Sequence, residues 1–277
     1  MHLGYNTNGL AHHDPFEAVE LLAALGYRSV AVTLDHGRLN PYAANFADEL
    51  RRYRDLLRKL NLRSVVETGA RFLLDPRLKH EPTLVTADAV ARARRLDFYR
   101  RAIEAAAVLD SDCVSVWSGV QRDAAGEEAT LERLAEGLRS TLATASEHGV
   151  TIGFEPEPGM FIDTLGRFDR LLQWVDPPNL GLTLDVGHLY CQGEVPIADY
   201  IRRYGPRLVN VHLEDMKAGV HEHLMFGEGE MDFPPIVAAL DRANFRGGVH
   251  VELSRDSHRG PEAAARAFAF LQPLFSA

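Results

Sequence analysis

The sequence predicts a single (β/α)8 barrel of the α/β class, on three observations. Short β-branched runs alternate with amphipathic helical patterns eight times along the chain, as a parallel barrel requires. No composition shift or linker divides the 277 residues, so they read as one barrel domain over 1–277. The balance of 46% hydrophobic and 25% charged residues is ordinary for a globular protein. A chain this long buries about 75% of its unfolded surface and needs no staples to hold a core.

Strands are expected at 3–7, 29–34, 64–68, 113–117, 151–155, 180–185, 208–212 and 248–253. The first helix, 15–25, follows Asp14 as N-cap and starts on Pro15, whose missing N–H costs nothing there. Helix 45–60 alternates charged and leucine positions, 87–109 is rich in Ala and Arg, and 131–148 repeats Leu at i, i+4. Patterns at 165–175, 197–204, 235–244 and 261–274 complete the set. Gly26, Gly149 and Gly205 follow helices where a left-handed C-cap is expected. The arginine runs at 51–55 and 92–95 read as solvated helix faces. Segment 70–86 is long for a connection between a strand and a helix, so it is a place for a lid or substrate contacts.

The net charge of −9 disfavours nucleic acid as a partner. Cys113 and Cys191 lie far apart in apolar stretches and read as buried free thiols. The first residues lack a basic segment followed by an apolar core, and no apolar run reaches the ~18 residues of a membrane span. A cytoplasmic protein without membrane attachment is expected. Gly227-Glu228-Gly229 follows no strand and lacks the third glycine of a dinucleotide fingerprint, so no nucleotide cofactor is expected.

The chemistry lies in what ends each strand, because barrels of this kind build their sites there. Strand five ends in Glu155-Pro156-Glu157, strand six in Asp185-Val186-Gly187-His188. Strand seven ends in His212-Leu213-Glu214-Asp215 and strand eight in Val251-Glu252. Glu155, Asp185, His212 and Glu252 thus converge on one rim from four consecutive strands. One acid there would be ordinary loop polarity, but three converging carboxylates repel unless a cation offsets them. Carboxylates with an imidazole suit one divalent ion such as Mn, Co, Zn or Mg. His188 reads as a ligand, a packed histidine or, in first place, a donor to a substrate oxygen.

These segments resemble the xylose-isomerase-like barrel superfamily, which groups sugar epimerases and isomerases, inosose and dehydroshikimate dehydratases, and endonuclease IV. The resemblance is most specific in Glu155-Pro156, Asp185-Val186-Gly187-His188, Val211-His212-Leu213-Glu214-Asp215 and Val251-Glu252. It implies a metal held by Glu155, Asp185, His212 and Glu252, with Glu155 and Glu252 exchanging the substrate proton from opposite faces. It implies that His188 binds substrate, and Lys217 is the nearest match to a basic residue after the strand-seven histidine. The implied reaction is epimerisation or isomerisation of a small keto sugar, sugar acid or cyclitol through an enediolate. A dehydratase is the alternative, because the same enediolate can expel a β-hydroxyl. The superfamily also implies a homo-oligomer by default.

His221-Glu222-His223 before Gly227-Glu228-Gly229 is similar to the Asp-x-His segment of endonuclease IV, with His221 where that enzyme has Asp. The third and fourth strands, however, end in Glu67 and Trp117 instead of the histidines of its zinc cluster. A hydrolase of that kind and a non-catalytic metabolite-binding barrel remain distant alternatives. The expectation is therefore one metal per chain, with His223 touching substrate or a ligand and His221 more dispensable. Around the rim, Glu67, Arg71, Lys79 and His80 are candidates to recognise a carboxylate or phosphate. Trp117 is a candidate to stack on a sugar face. Asn6, Asn8, Asp35 and His36 read as turn residues first.

Overall fold

Eight parallel strands close into a barrel: β1 (His2–Asn6), β2 (Ser29–Thr33), β3 (Arg63–Glu67), β4 (Val114–Val116), β5 (Ile152–Phe154), β6 (Leu180–Asp185), β7 (Leu208–Leu213) and β10 (Gly248–Val251). This is the (β/α)8 architecture, seen in a computed structural model that describes residues 1–37 and 39–275 of the 277. Arg38 and the last two residues of the expected 1–277 domain lie outside the described residues. Two strands that the sequence pattern did not show, β8 (Asp215–Lys217) and β9 (Val220–Leu224), form an antiparallel hairpin above the barrel after β7.

The main helices are α1 (Pro15–Leu25), α2 (Phe46–Leu60), α3 (Ala89–Leu109), α4 (Glu127–Glu147), α5 (Leu165–Leu172), α7 (Ile197–Tyr204), α8 (Phe233–Arg242) and α9 (Gly260–Phe275). A further one-and-a-half-turn helix, α6 (Val186–Cys191), follows β6 directly. Asp14 caps α1 by accepting from Phe16 N at 2.9 Å, and Gly26 closes it at φ 110°. α4 begins a turn earlier than its leucine pattern, because Glu127 and Glu128 follow the Gly126 N-cap and suit a helix N-terminus. α5 ends three residues before the expected 175, ahead of the helix-breaking Asp176-Pro177-Pro178.

Two expectations are corrected. Gly205 is right-handed (φ −45°), since Pro206 carries the chain on into a 3-10 turn, Gly205–Arg207. Its glycine is a packing requirement instead: a Cβ there would lie 3.1 Å from Ala243 Cβ, just after α8. The 92–95 run is not wholly solvated either, for Arg95 is fully buried. It points from α3 under segment 70–86 and donates to three of that region's carbonyls. In the 51–55 run, Tyr53 is likewise buried.

Strand alternation divides the core. One parity (Val30, Val32, Val66, Val114, Val116, Phe154, Leu182, Leu184, Val211, Val249 and Val251) joins the main hydrophobic cluster under the helices. The other parity faces the barrel axis, with Ala31, Val65 and Cys113 in a small cluster of their own and polar residues toward the mouth. Both cysteines are free and buried. Among the described residues no helix is long and apolar enough to cross a membrane.

Candidate metal centre and substrate cavity

The inward parity carries its polar side chains to one end of the barrel. There, Glu67 on β3 and His212 on β7 meet Trp117, Glu155 and Glu252, each one residue past its strand. β5 stops before Glu155 because Pro156 cannot extend the ladder, yet Glu155 N still donates to Val116 O at 2.8 Å. Glu252 N likewise donates to Leu213 O at 2.9 Å. Backbone bonds thus fix both glutamates beyond the strand ends. A cavity of about 200 Å³ opens above them, below the ~300 Å³ at which drug-sized pockets begin, so it suits a small metabolite.

His212 stands at the centre of the expected ligand set. Its Nδ1 lies 3.1 Å from Glu155 Oε1, 3.0 Å from Glu252 Oε2 and 3.9 Å from Asp185 Oδ2. One potential ligand atom from each of the four residues lies within 4.8 Å of the others. Asp185 divides its work. Its Oδ1 accepts from His188 N at 2.9 Å and caps α6, while its buried Oδ2 has no hydrogen-bond partner. A buried carboxylate oxygen left without a donor, beside two more carboxylates and an imidazole, fits a divalent cation.

The other nitrogen of His212 faces away from that centre. Nε2 donates to Glu67 Oε1 at 3.0 Å, and Asn210 Nδ2 donates to the same oxygen at 3.1 Å. Asn210 Oδ1 accepts from His250 Nδ1 at 2.8 Å, and His250 Nε2 accepts from Ser29 Oγ at 2.8 Å. This buried chain occupies Nε2 and leaves Nδ1 as the nitrogen able to coordinate an ion. Gly4 and Gly248 make room for the His250 ring, since a Cβ at either would collide with it.

Charge is unevenly shared among these groups. Burial disfavours a charged His212, but Glu155, Glu67 and Glu252 together hold it well above the usual imidazole range. Burial pushes Glu155 up to about 8 despite His212. Burial acts in the same sense on Glu252, yet His212, His223 and the Asn8 amide, 2.7 Å from Oε1, outweigh it and hold that carboxyl low. Burial and the neighbouring Asp185 push the Glu214 carboxyl well above its usual range. Burial lowers His188 to about 4.

The hairpin supplies the other wall. Because β9 is extended, His221 and His223 point the same way, as their i, i+2 spacing requires. His223 Nδ1 donates to the Glu252 carbonyl at 3.0 Å. His221 Nε2 lies 3.1 Å from His188 Nε2 and 3.3 Å from His223 Nε2. His221 and His223 line the cavity, with the buried His188 behind them and 3.5 Å from Asp185 Oδ2. Gly227 and Gly229 serve this hairpin: Asp215 Oδ2 accepts from their N–H groups at 2.8 and 3.0 Å, and a Cβ at Gly229 would strike that carboxylate.

The structure therefore gathers Glu155, Asp185, His212 and Glu252, with His188, His223 and Glu67 in contact with that set. Arg71 and Trp117 line the cavity, but Lys217 lies exposed at the outer end of β8 and away from it. Glu67 reaches the cavity while bonded to His212, so it is a support for that histidine as well as a wall. Sequence reasoning gave no role to Asn210, His250, Glu157 or Arg95. Three of them stand two residues from a named ligand, a spacing that puts both side chains on one face; nothing in the local sequence marks Arg95.

A family model described as xylose isomerase-like TIM barrel matches residues 19–274. An inosose dehydratase of Lacticaseibacillus casei is 31% identical over 142 residues, 45% of this chain and 47% of the relative. The match thus spans about half the length of that curated relative. The fold is similar to that of the zinc-bound IOLI protein (TM-score 0.81, 18% identity, 100% of this chain and 98% of the other). It is also similar to that of an L-ribulose 3-epimerase (TM-score 0.79, 18% identity, 99% and 94%).

Proposed function

The chain belongs to the xylose isomerase-like TIM barrel family, and from that premise we propose that it is a metal-dependent epimerase or isomerase of a small keto sugar, sugar acid or cyclitol. The carrying observation is geometric: Glu155 and Glu252 approach His212 Nδ1 to 3.1 and 3.0 Å, and both line the cavity. Two carboxylates reaching one small substrate can remove a carbon-bound proton and return it to the other face or the neighbouring carbon, through an enediolate.

Glu155, Asp185, His212 and Glu252 would hold the ion, Mn, Co, Zn or Mg. When bound, the ion supplies Lewis-acid polarisation of a carbonyl and an adjacent hydroxyl. The IOLI protein, similar in fold, binds a zinc atom, which supports the reading that a metal belongs here. Asn8 fixes Glu252 through its amide, and Glu67 fixes His212. Trp117 offers an apolar face to the substrate, and His223 holds the wall beside Glu252. The two buried free thiols suit the reducing cytoplasm expected from the sequence.

The inosose dehydratase match favours a second reading, loss of water from an inosose- or dehydroshikimate-like ketone. Incubation of the metal-loaded protein with a ketose and inosose panel in D₂O separates the two. An epimerase or isomerase incorporates deuterium and keeps the substrate's composition, whereas a dehydratase releases water. Neither exchange nor water loss with any member would overturn both.

A further inference from the structure

The cavity's floor is carboxylate, from Glu67, Glu155 and Glu252, while the wall built by the β3–α3 segment is cationic, from Arg71 and Lys79. A third cation that lines the cavity, Arg255, is paired with Glu222 at 3.0 Å. Arg71 Nε lies 3.3 Å from Asp35 Oδ2, and Arg71 Nη2 donates to Asn8 O at 3.3 Å. Lys79 has no ion-pair partner among the described residues. The spacing to the metal centre is short, because the Asn8 amide that follows is 2.7 Å from Glu252 Oε1. One residue thus separates the guanidinium from a metal-ligand carboxylate.

This wall is held in shape. Ala70, Arg71 and His80 adopt left-handed conformations (φ 54°, 25° and 68°) that non-glycine residues avoid at a cost of about 1–2 kcal/mol each. The fully buried Arg95 pins the segment by donating to Thr68 O at 3.1 Å, His80 O at 2.5 Å and Pro82 O at 2.6 Å. His80 N donates back to Arg71 O at 2.5 Å, and the His80 ring meets Trp117 edge-on at 5.5 Å. A strained loop fixed from beneath by a buried cation is more than a solvated basic turn. It presents a guanidinium and an ammonium to the small cavity, the guanidinium one residue away from Glu252.

We propose that the substrate carries an anionic group, a carboxylate or a phosphate monoester, a few atoms from its reacting carbon, and that Arg71 and Lys79 bind it. This rests on the isomerase reading of the same site. The Arg71 fork gives geometry and Lys79 gives charge, a division that suits either anion.

The test compares D-fructose, D-fructose 6-phosphate and 5-keto-D-gluconate in the deuterium-exchange assay with metal-loaded protein. The expected result is a kcat/KM for one anionic ketose about tenfold or more above that for fructose, and which one shows whether phosphate or carboxylate is read. In Lys79→Gln and Arg71→Lys that ratio falls toward one, with KM carrying most of the change. Calorimetric titration with inorganic phosphate and with succinate gives a readout without turnover. Anion held by the metal alone survives Lys79→Gln, whereas anion held by the wall weakens in the variant and in added NaCl. If no ketose exchanges but anion binding still falls in Lys79→Gln, the isomerase reading fails and the anion site stands. Fructose turned over as well as both anions, or an anion affinity unmoved by either substitution, overturns the proposal.

Discussion

Asn210 and His250 face each other inside the barrel, with 2.8 Å between Asn210 Oδ1 and His250 Nδ1. The contact joins the barrel floor to the metal centre, because Asn210 also holds the Glu67 oxygen that orients His212. Asn210→Leu leaves Glu67 and His250 each short of a buried partner, at about 1–3 kcal/mol per group. Metal affinity is expected to fall about 10–100-fold, as when other outer partners of metal ligands are removed. Ser29→Ala, at the far end of the chain, should cost about 1 kcal/mol and leave metal affinity near wild type. Urea unfolding and metal titration by calorimetry measure both.

Metal removal should loosen the barrel mouth, where Glu155, Asp185 and Glu252 then face one another without a cation. An ion at about 100 times its dissociation constant adds about 2.7 kcal/mol. At about 2 °C per kcal/mol, thermal melts before and after chelation should differ by about 5 °C. In Asp185→Ala, which removes the oxygen that lacks a protein partner, added Mn²⁺ should restore little of that difference.

Glu155→Gln and Glu252→Gln should each lower deuterium exchange by about 10²–10⁴-fold. Circular dichroism should be unchanged, since both side chains lie beyond the strand ladders and neither backbone bond is lost. Exchange persisting near the wild-type rate in either variant would remove that glutamate from proton transfer.

Arg95→Met strands the carbonyls of Thr68, His80 and Pro82 in a buried setting. A loss of about 3 kcal/mol or more is expected, together with new proteolytic cleavage within 70–82. Arg95→Lys keeps the charge without the planar fork, so it should recover only part of the loss. Limited proteolysis followed by mass spectrometry locates the cuts.

Elemental analysis of the metal-loaded protein is expected to give one tightly held ion per chain, and His221→Ala should keep it. Two ions, one of them lost in His221→Ala, would place the second among His188, His221 and His223, whose nitrogens also lie within 4.8 Å of one another.

The sequence by itself determined the alternation of strands and helices, and with it the barrel. It also determined that four candidate ligands meet, since a strand's period of two and the common rim of a parallel barrel leave Glu155, Asp185, His212 and Glu252 nowhere else to point. The local signals at Asp14, Pro15 and Gly26 were equally legible, because caps act over a few adjacent residues. What the tertiary structure alone decided are contacts across the barrel. Arg95 reads as one more arginine on a solvated helix until segment 70–86 folds over it. Lys217 reads as a site residue until the β8–β9 hairpin turns it outward. Glu67 reads only as a substrate contact until β3 and β7, 145 residues apart in sequence at Glu67 and His212, set it against the imidazole and add a second role. Periodicity reports which face a side chain takes, and closure of the sheet decides what that face meets.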